Sequence, residues 1–128
     1  MKVAFSSRTG EMIDQHFGMA DNFTIWELSP FDAYFVGTLK VESADSDEED
    51  KIASRADLLA DCAIVYTMQI GGPAAAKLVS RKIQPMKTNS EVPVAEIVSK
   101  LQEVLKGNPP PWLKKAMYKE KSVNFVED

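Results

Sequence analysis

The feature of this sequence that most limits its fold is an unbroken run of mostly apolar residues at positions 62–67. A strand with one solvated face alternates apolar and polar residues, whereas a strand covered on both faces is apolar throughout. The run leads into Gly71, Gly72 and Pro73, and proline suits the first turn of a helix. We therefore expect a central strand, covered on both faces and followed by a helix.

Four other segments have the patterns of strands in the same sheet. Residues 2–6 are short and apolar, and residues 82–86 form a further short candidate. Residues 22–28 and 34–41 alternate apolar with polar side chains and are joined by a short turn, which predicts an antiparallel hairpin. The sequence thus predicts five strands, with the hairpin at one side of the sheet.

Three helices are predicted between and after these strands. Ser46 and Glu49 form a capping box before an apolar stripe at helical spacing. A short helix covers residues 73–80, and a longer one runs from Pro93 to a stop at Gly107. The fold class is therefore α/β, with a mixed five-stranded sheet and helices on both faces.

Length and charge restrict the classes of protein to which this chain can belong. Its 128 residues suffice for one domain, and a net charge of −4 gives no reason to expect nucleic acid as a partner. No run of 18 apolar residues predicts a membrane span, and the first residues lack a signal-peptide pattern. We expect a cytoplasmic protein.

The prolines near the C-terminus mark the predicted boundary between the domain and a C-terminal extension. We expect residues 1–107 to form the α/β domain. Residues 108–128 begin with Asn108-Pro109-Pro110-Pro111-Trp112 and continue with polar and lysine residues. This composition predicts a partly flexible extension that starts as an extended, polyproline-like path and orders against a partner.

His16 is the only histidine, and it lies in a loop a few residues after the first strand. Imidazole is the commonest protein donor to transition metals, so His16 is a candidate metal ligand; the alternative is a histidine held by hydrogen bonds in a turn. Cys62 is the only cysteine and begins its strand, so we expect a buried, inert thiol. One histidine and one cysteine cannot supply the four ligands of a resident iron–sulfur or structural zinc site. Any cluster must therefore arrive preassembled and be held by few bonds.

In open α/β sheets, ligands bind beyond the carboxyl ends of the strands. Gly71 and Gly72 start a helix there, and they indicate either an anion cradle or a turn that needs glycine for its geometry. Met68 is either a soft sulfur ligand at this end of the sheet or a packing residue. Arg8 either balances the charge of a negative ligand or is a solvated loop residue. The sequence offers no serine-based triad, and its first strand carries no carboxylate that could bind a catalytic metal. We therefore do not expect hydrolysis or another enzymatic activity.

Five segments of the chain together resemble the nitrogenase iron–molybdenum cofactor biosynthesis family, from residue 2 to about residue 117. They are Lys2-Val3-Ala4-Phe5, Asp14-Gln15-His16-Phe17-Gly18, Cys62-Ala63-Ile64-Val65-Tyr66, Ile70-Gly71-Gly72-Pro73-Ala74-Ala75-Ala76 and Gly107-Asn108-Pro109-Pro110-Pro111-Trp112-Leu113.

The resemblance implies a ribonuclease-H-like three-layer sandwich without nuclease activity. It further implies a small carrier that transiently binds iron–sulfur precursors of the cofactor and passes them between a cluster donor and a scaffold complex. His16 occupies the position implicated in cluster binding in the family, with the glycine pair as the floor of the site. Some relatives carry a further cysteine nearby, whereas this chain has Met19 and Met68. Two other interpretations remain: an interaction or regulatory module without a metal cluster, and generic anion binding.

Overall fold

A mixed five-stranded sheet forms the centre of the computed structural model, which describes residues 1–42 and 47–127. Its strands are β1 (Lys2–Ser6), β3 (Asn22–Leu28), β4 (Ala33–Lys40), β5 (Ile64–Thr67) and β6 (Gln84–Lys87). The short strand β2 lies outside this sheet and is described below. Their order across the sheet is β4-β3-β1-β5-β6. β3 and β4 form the predicted antiparallel hairpin, and β1 is antiparallel to β3 but parallel to β5, which is parallel to β6. The predicted α/β class and mixed sheet are confirmed.

Helices cover both faces of this sheet. The four helices are α1 (Glu48–Leu58), α2 (Gly72–Ser80), α3 (Val94–Lys106) and α4 (Pro111–Glu127). One hydrophobic cluster joins Ala4 and Val65 of the sheet to α1 and α2. The other joins Val3 and Phe5 to α3 and α4. Because successive residues of a strand point to opposite faces, the apolar β1 and β5 serve both clusters at once.

The start of α1 lies one residue later than the predicted capping box. Ser46 lies outside the described residues, and α1 begins at Glu48. The carboxylate of Asp47 accepts a hydrogen bond from the backbone N–H of Asp50 at 2.8 Å. This bond satisfies one of the free N–H groups of the first turn, so Asp47 is the N-cap.

Two short strands that the sequence did not predict form a separate ribbon. β2 (Met12–Ile13) pairs antiparallel with β7 (Val92–Pro93). Ile13 is fully buried, and the N–H of Val94 donates to the carbonyl of Glu11 at 2.9 Å. The ribbon ties the chain before His16 to the start of α3.

The segment after the prolines differs from the extended path expected for it. Pro111 is the first residue of α4, a position where a missing N–H is harmless and a fixed φ favours the helix. Leu113 is fully buried, Ala116 is nearly so, and both belong to the cluster on the α3 face. The expectation of an extended path is therefore wrong from Pro111 onward, whereas the division into a domain and a partly flexible extension stays a prediction.

Residues 1–42 and 47–127 contain no helix that is long and apolar enough to cross a membrane.

Candidate functional site

The histidine loop is fixed by hydrogen bonds on both sides of His16. The carbonyl of Gln15 accepts from the backbone N–H of Met68 at 3.0 Å and from Thr67 Oγ1 at 2.9 Å. The N–H of Phe17 donates to the carbonyl of Gln69 at 2.9 Å. Because these bonds join the loop to the end of β5, His16 lies at the carboxyl edge of the parallel strands, where ligands of α/β sheets bind.

The imidazole is exposed because its neighbours are anchored in the core. Gln15 and Phe17 are buried, with 4% and 1% of their surface exposed. The backbone of His16 is extended, with φ −74° and ψ 149°. Successive side chains of an extended chain point in opposite directions, so two inward neighbours direct the His16 ring outward. The alternative of a histidine held in a turn is not favoured by this geometry.

His16 and Gly71 line the same cavity, which has a volume of about 370 Å³. Among the described residues its walls are formed by His16, Gly18, Met19, Lys51, Gln69, Ile70 and Gly71. They come from the histidine loop, from α1 and from the turn between β5 and α2. The sequence prediction that the histidine and the first glycine share a site is therefore geometrically possible.

The described lining residues provide positive charge and hydrogen-bond donors but no carboxylate. Lys51 of α1 contributes an ammonium group. Gly71 is the N-cap of α2, whose first turn contains no acidic residue and receives no side-chain cap. The N-terminus of a helix carries partial positive charge. The cavity is thus suited to an anionic or electron-rich ligand.

Not all predicted site residues meet at this cavity. Gly72, the first residue of α2, is exposed and is not among its lining residues. The backbone N–H of the exposed Arg8 donates to Asp14 Oδ1 at 3.0 Å, and Arg8 does not line the cavity either. Met68 packs against the cluster on the α3 face. The packing alternative for Met68 therefore fits its position, and the roles predicted for Arg8 and Gly72 stay predictions.

Lys51 and Gln69 were missed by the sequence analysis. In the sequence, Lys51 is only one of several charged residues beside the apolar stripe of α1. A cation beside that stripe, on a helix that covers the sheet, was the one available signal. Gln69 belongs to the turn whose glycines were singled out, and its Nε2 donates to Asn89 Oδ1 at 2.9 Å.

Met19 stands beside His16 on the rim of the cavity. The N–H of Met19 donates to the carbonyl of His16 at 3.1 Å, and 72% of the Met19 surface is exposed. It follows His16 by three residues, in a 3₁₀ turn at Phe17–Met19, and both residues line the cavity. The methionine that stands where some relatives carry a cysteine is therefore part of the lining of the His16 cavity.

Cys62 lies away from this cavity, as predicted. It precedes β5, whereas the cavity lies beyond the other end of that strand. Only 2% of its surface is exposed, and burial raises the pKa of its thiol to about 11. A buried thiol with a raised pKa is a poor nucleophile and metal ligand. In the described part of the chain, no group of three or more His, Cys, Asp or Glu side chains is arranged to hold a metal ion.

Comparison with solved structures supports the fold. The crystal structure of PH0822 superimposes with a TM-score of 0.66, covering 88% of this chain and 99% of that one. The two sequences are 17% identical. At this identity the likeness shows a shared fold and nothing more.

Comparison with known sequences shows the family. NifX of Herbaspirillum seropedicae is 42% identical over 132 aligned residues, which cover all of this chain and 90% of that protein. NifY of Azotobacter vinelandii is 42% identical over 117 residues, which cover 91% of this chain and 48% of NifY. The family model described as dinitrogenase iron-molybdenum cofactor matches residues 1–104. The resemblance drawn from the sequence is confirmed, and the chain belongs to the dinitrogenase iron-molybdenum cofactor family.

Proposed function

We propose that this protein is a carrier that transiently binds iron–sulfur precursors of the nitrogenase iron–molybdenum cofactor and transfers them between assembly proteins. Membership of the family and similarity to NifX and NifY support a role in making this cofactor. The proposed partners are the cluster donor and the scaffold complex of the assembly pathway, in the cytoplasm. The protein acts by binding and release, without catalysis, on a fold of the ribonuclease-H-like type.

The observation that carries the proposal is the exposed His16 ring at the mouth of a cavity that also includes Gly71. An imidazole nitrogen can bind iron, and backbone N–H groups can donate hydrogen bonds to cluster sulfides. A single protein ligand with a few weak bonds permits release, whereas four thiolates would retain the cluster. This balance suits a carrier.

Lys51 adds a reason why the cargo would be an anion. Clusters rich in sulfide and thiolate carry net negative charge, and placing them near a protein requires compensation. The Lys51 ammonium group of α1 and the start of α2 supply positive potential from two of the elements that line the cavity. We assign His16 to ligation, and Lys51 and Gly71 to holding the charged cargo.

The proposal is tested by anaerobic titration of the His16→Ala variant with the isolated precursor cluster, followed by absorption spectroscopy. We expect at least a tenfold loss of affinity, because the only iron ligand assigned to the protein is removed. Ser99→Ala, an exposed position on α3, serves as control and should bind like the wild type. Unchanged affinity and stoichiometry in His16→Ala would remove His16 from the site.

Iron and sulfide analysis distinguishes the alternative, an interaction or regulatory module that carries no cluster. The wild-type protein is incubated anaerobically with a cluster donor and separated from it by gel filtration. The carrier retains iron and sulfide in a fixed ratio to protein. A wild-type protein that elutes without iron and sulfide would contradict the carrier proposal and favour the interaction or regulatory module.

A further inference from the structure

A second cavity lies at the opposite end of the sheet from His16. It has a volume of about 860 Å³ and lies between the end of α2, the start of β6 and one side of α4. We call it the α2–α4 groove, and the residues that matter for its chemistry are Val79, Lys82, Trp112, Lys115, Tyr118 and Lys119. Ala63 and Ile83, which precede β5 and β6, also line it. The groove therefore lies at the amino ends of strands whose carboxyl end carries the His16 cavity.

The groove combines apolar surface with one sign of charge. Val79 and Tyr118 are large side chains with 58% and 56% of their surface exposed, on its two sides. Lys82, Lys115 and Lys119 also line it, and no acidic side chain does so among the described residues. This local excess of positive charge contrasts with the net charge of −4 for the chain. Apolar surface bordered by lysines complements a segment that is both apolar and acidic.

Lys119 shows where a carboxylate would bind. Its Nζ donates to the carbonyls of Cys62 at 2.8 Å and Arg81 at 3.3 Å, the latter at the C-cap of α2. An ammonium group has three donors, so among the described residues one donor remains after these two bonds. Burial lowers the pKa of Lys119, and the thiol of Cys62, Asp61 and Lys82 act on it in weaker and opposing ways. A half-buried cation whose hydrogen bonds go to two neutral carbonyls is further stabilised by an incoming carboxylate, beyond the weaker effect of Asp61.

We propose that the α2–α4 groove docks an acidic, apolar segment of a protein partner, with one of its carboxylates on Lys119. The segment's apolar side chains cover Val79, Trp112 and Tyr118, and its other acidic groups face Lys82 and Lys115. A partner bound there leaves the His16 cavity open at the other end of the sheet. The protein can therefore be held by one contact while a ligand enters or leaves through another.

Two neighbouring lysines of α4 provide a matched test. Lys115 lines the groove and Lys114 does not, and both are exposed, so substitution should not disturb the core. The ligand is a synthetic helical peptide of fifteen residues built from Glu, Leu and Ala, compared with versions carrying Gln or Lys in place of Glu. Binding to the full chain is followed by ¹⁵N–¹H NMR shifts at Ala63, Lys82 and Lys119.

We expect the Glu peptide to bind at least tenfold more tightly than the Gln peptide, and the Lys peptide to bind most weakly. Lys115→Glu should lower the affinity for the Glu peptide at least fivefold, and Lys114→Glu should change that affinity less than twofold. Equal affinity for the Glu and Gln peptides, shifts confined to other surfaces, or no binding of any peptide would overturn the proposal. Sedimentation equilibrium that shows a dimer lost on Lys115→Glu would do the same, because a second copy would then occupy the groove. His16→Ala should bind the peptide normally, so this result is independent of the proposed cargo.

Discussion

Gly71 borders the His16 cavity in a backbone conformation that every amino acid can adopt. Its φ of −75° and ψ of 160° are those of an extended residue, and the only described glycine with positive φ is Gly10. A Cβ added to Gly71 would approach nothing closer than Pro73 Cδ at 4.0 Å, and one on Gly72 would meet nothing within 4 Å. The alternative of a turn that needs glycine for its geometry is therefore not favoured at this pair. A glycine that geometry does not require is consistent with a need for open space and accessible backbone.

Substitution of Gly71 separates binding from folding. We expect Gly71→Ala to change the free energy of unfolding by less than about 1 kcal/mol, because no steric clash or strained angle arises. We expect it to weaken binding of the precursor cluster at least fivefold, because a methyl group enters the site. The measurements are urea unfolding and anaerobic titration. Gly37→Ala, on β4, where an added Cβ meets nothing within 4 Å, should leave binding of the cluster unchanged. Full affinity in Gly71→Ala would exclude close contact between this backbone and the cargo.

At the scale of the elements, local patterns predicted the sheet well. Residues 2–6 and 22–28 were predicted with the bounds that the structure shows for β1 and β3, because a short apolar run and an alternating pattern are signals carried by the strand itself. β2 and β7 have two residues each and no periodicity. They pair because the fold brings together segments about 80 positions apart. A pairing of this kind has no local signal.

The candidate site was predictable to the extent that its residues share a local motif. His16 and Gly71 were found because each stands in a short segment with an unusual composition. Lys51 reaches the same cavity from α1, and only the packing of α1 beside the β5–α2 turn makes it a neighbour. Sequence spacing does not encode that approach. The positive charge of the cavity therefore had to be read from the three-dimensional structure.

α4 is an element whose contribution to stability the sequence underestimated. Its Leu113 is fully buried and Ala116 is 7% exposed, in the cluster that also contains Val98 and Leu101 of α3. We expect a chain ending at Gly107 to lose about 2–5 kcal/mol of unfolding free energy, the range for removing a large buried side chain. A chain ending at Lys119 keeps both buried residues and should retain most of the stability. Equal urea midpoints for the full-length chain and the chain ending at Gly107 would instead support residues 1–107 as a self-sufficient domain.

For the whole molecule, the sheet separates two surfaces of different character. The His16 cavity at the carboxyl end of β5 is small and rich in donors, and the α2–α4 groove at its amino end is larger, apolar and bordered by lysines. β5 has four residues, so the two ends of the strand are roughly 10–13 Å apart. A carrier needs to exchange its cargo while it is held by a partner. With the two proposed sites at opposite ends of one strand, a partner can bind at one end while the cargo enters or leaves at the other.

The alkaline stability of the whole molecule depends on two buried groups of its core. Burial raises the pKa of Cys62 to about 11, which Lys119 and Lys2 only partly offset, and it raises the pKa of Tyr66 to about 12. The folded protein holds these protons more tightly than the unfolded chain, so their stabilisation is complete below about pH 9 and lost as the pH rises through the folded pKa values. We expect Cys62→Ala to lose about 2 kcal/mol less stability than the wild type between pH 8.5 and 11, measured by urea unfolding at each pH. Parallel pH profiles of the two proteins would mean that the thiol titrates alike in the folded and unfolded states.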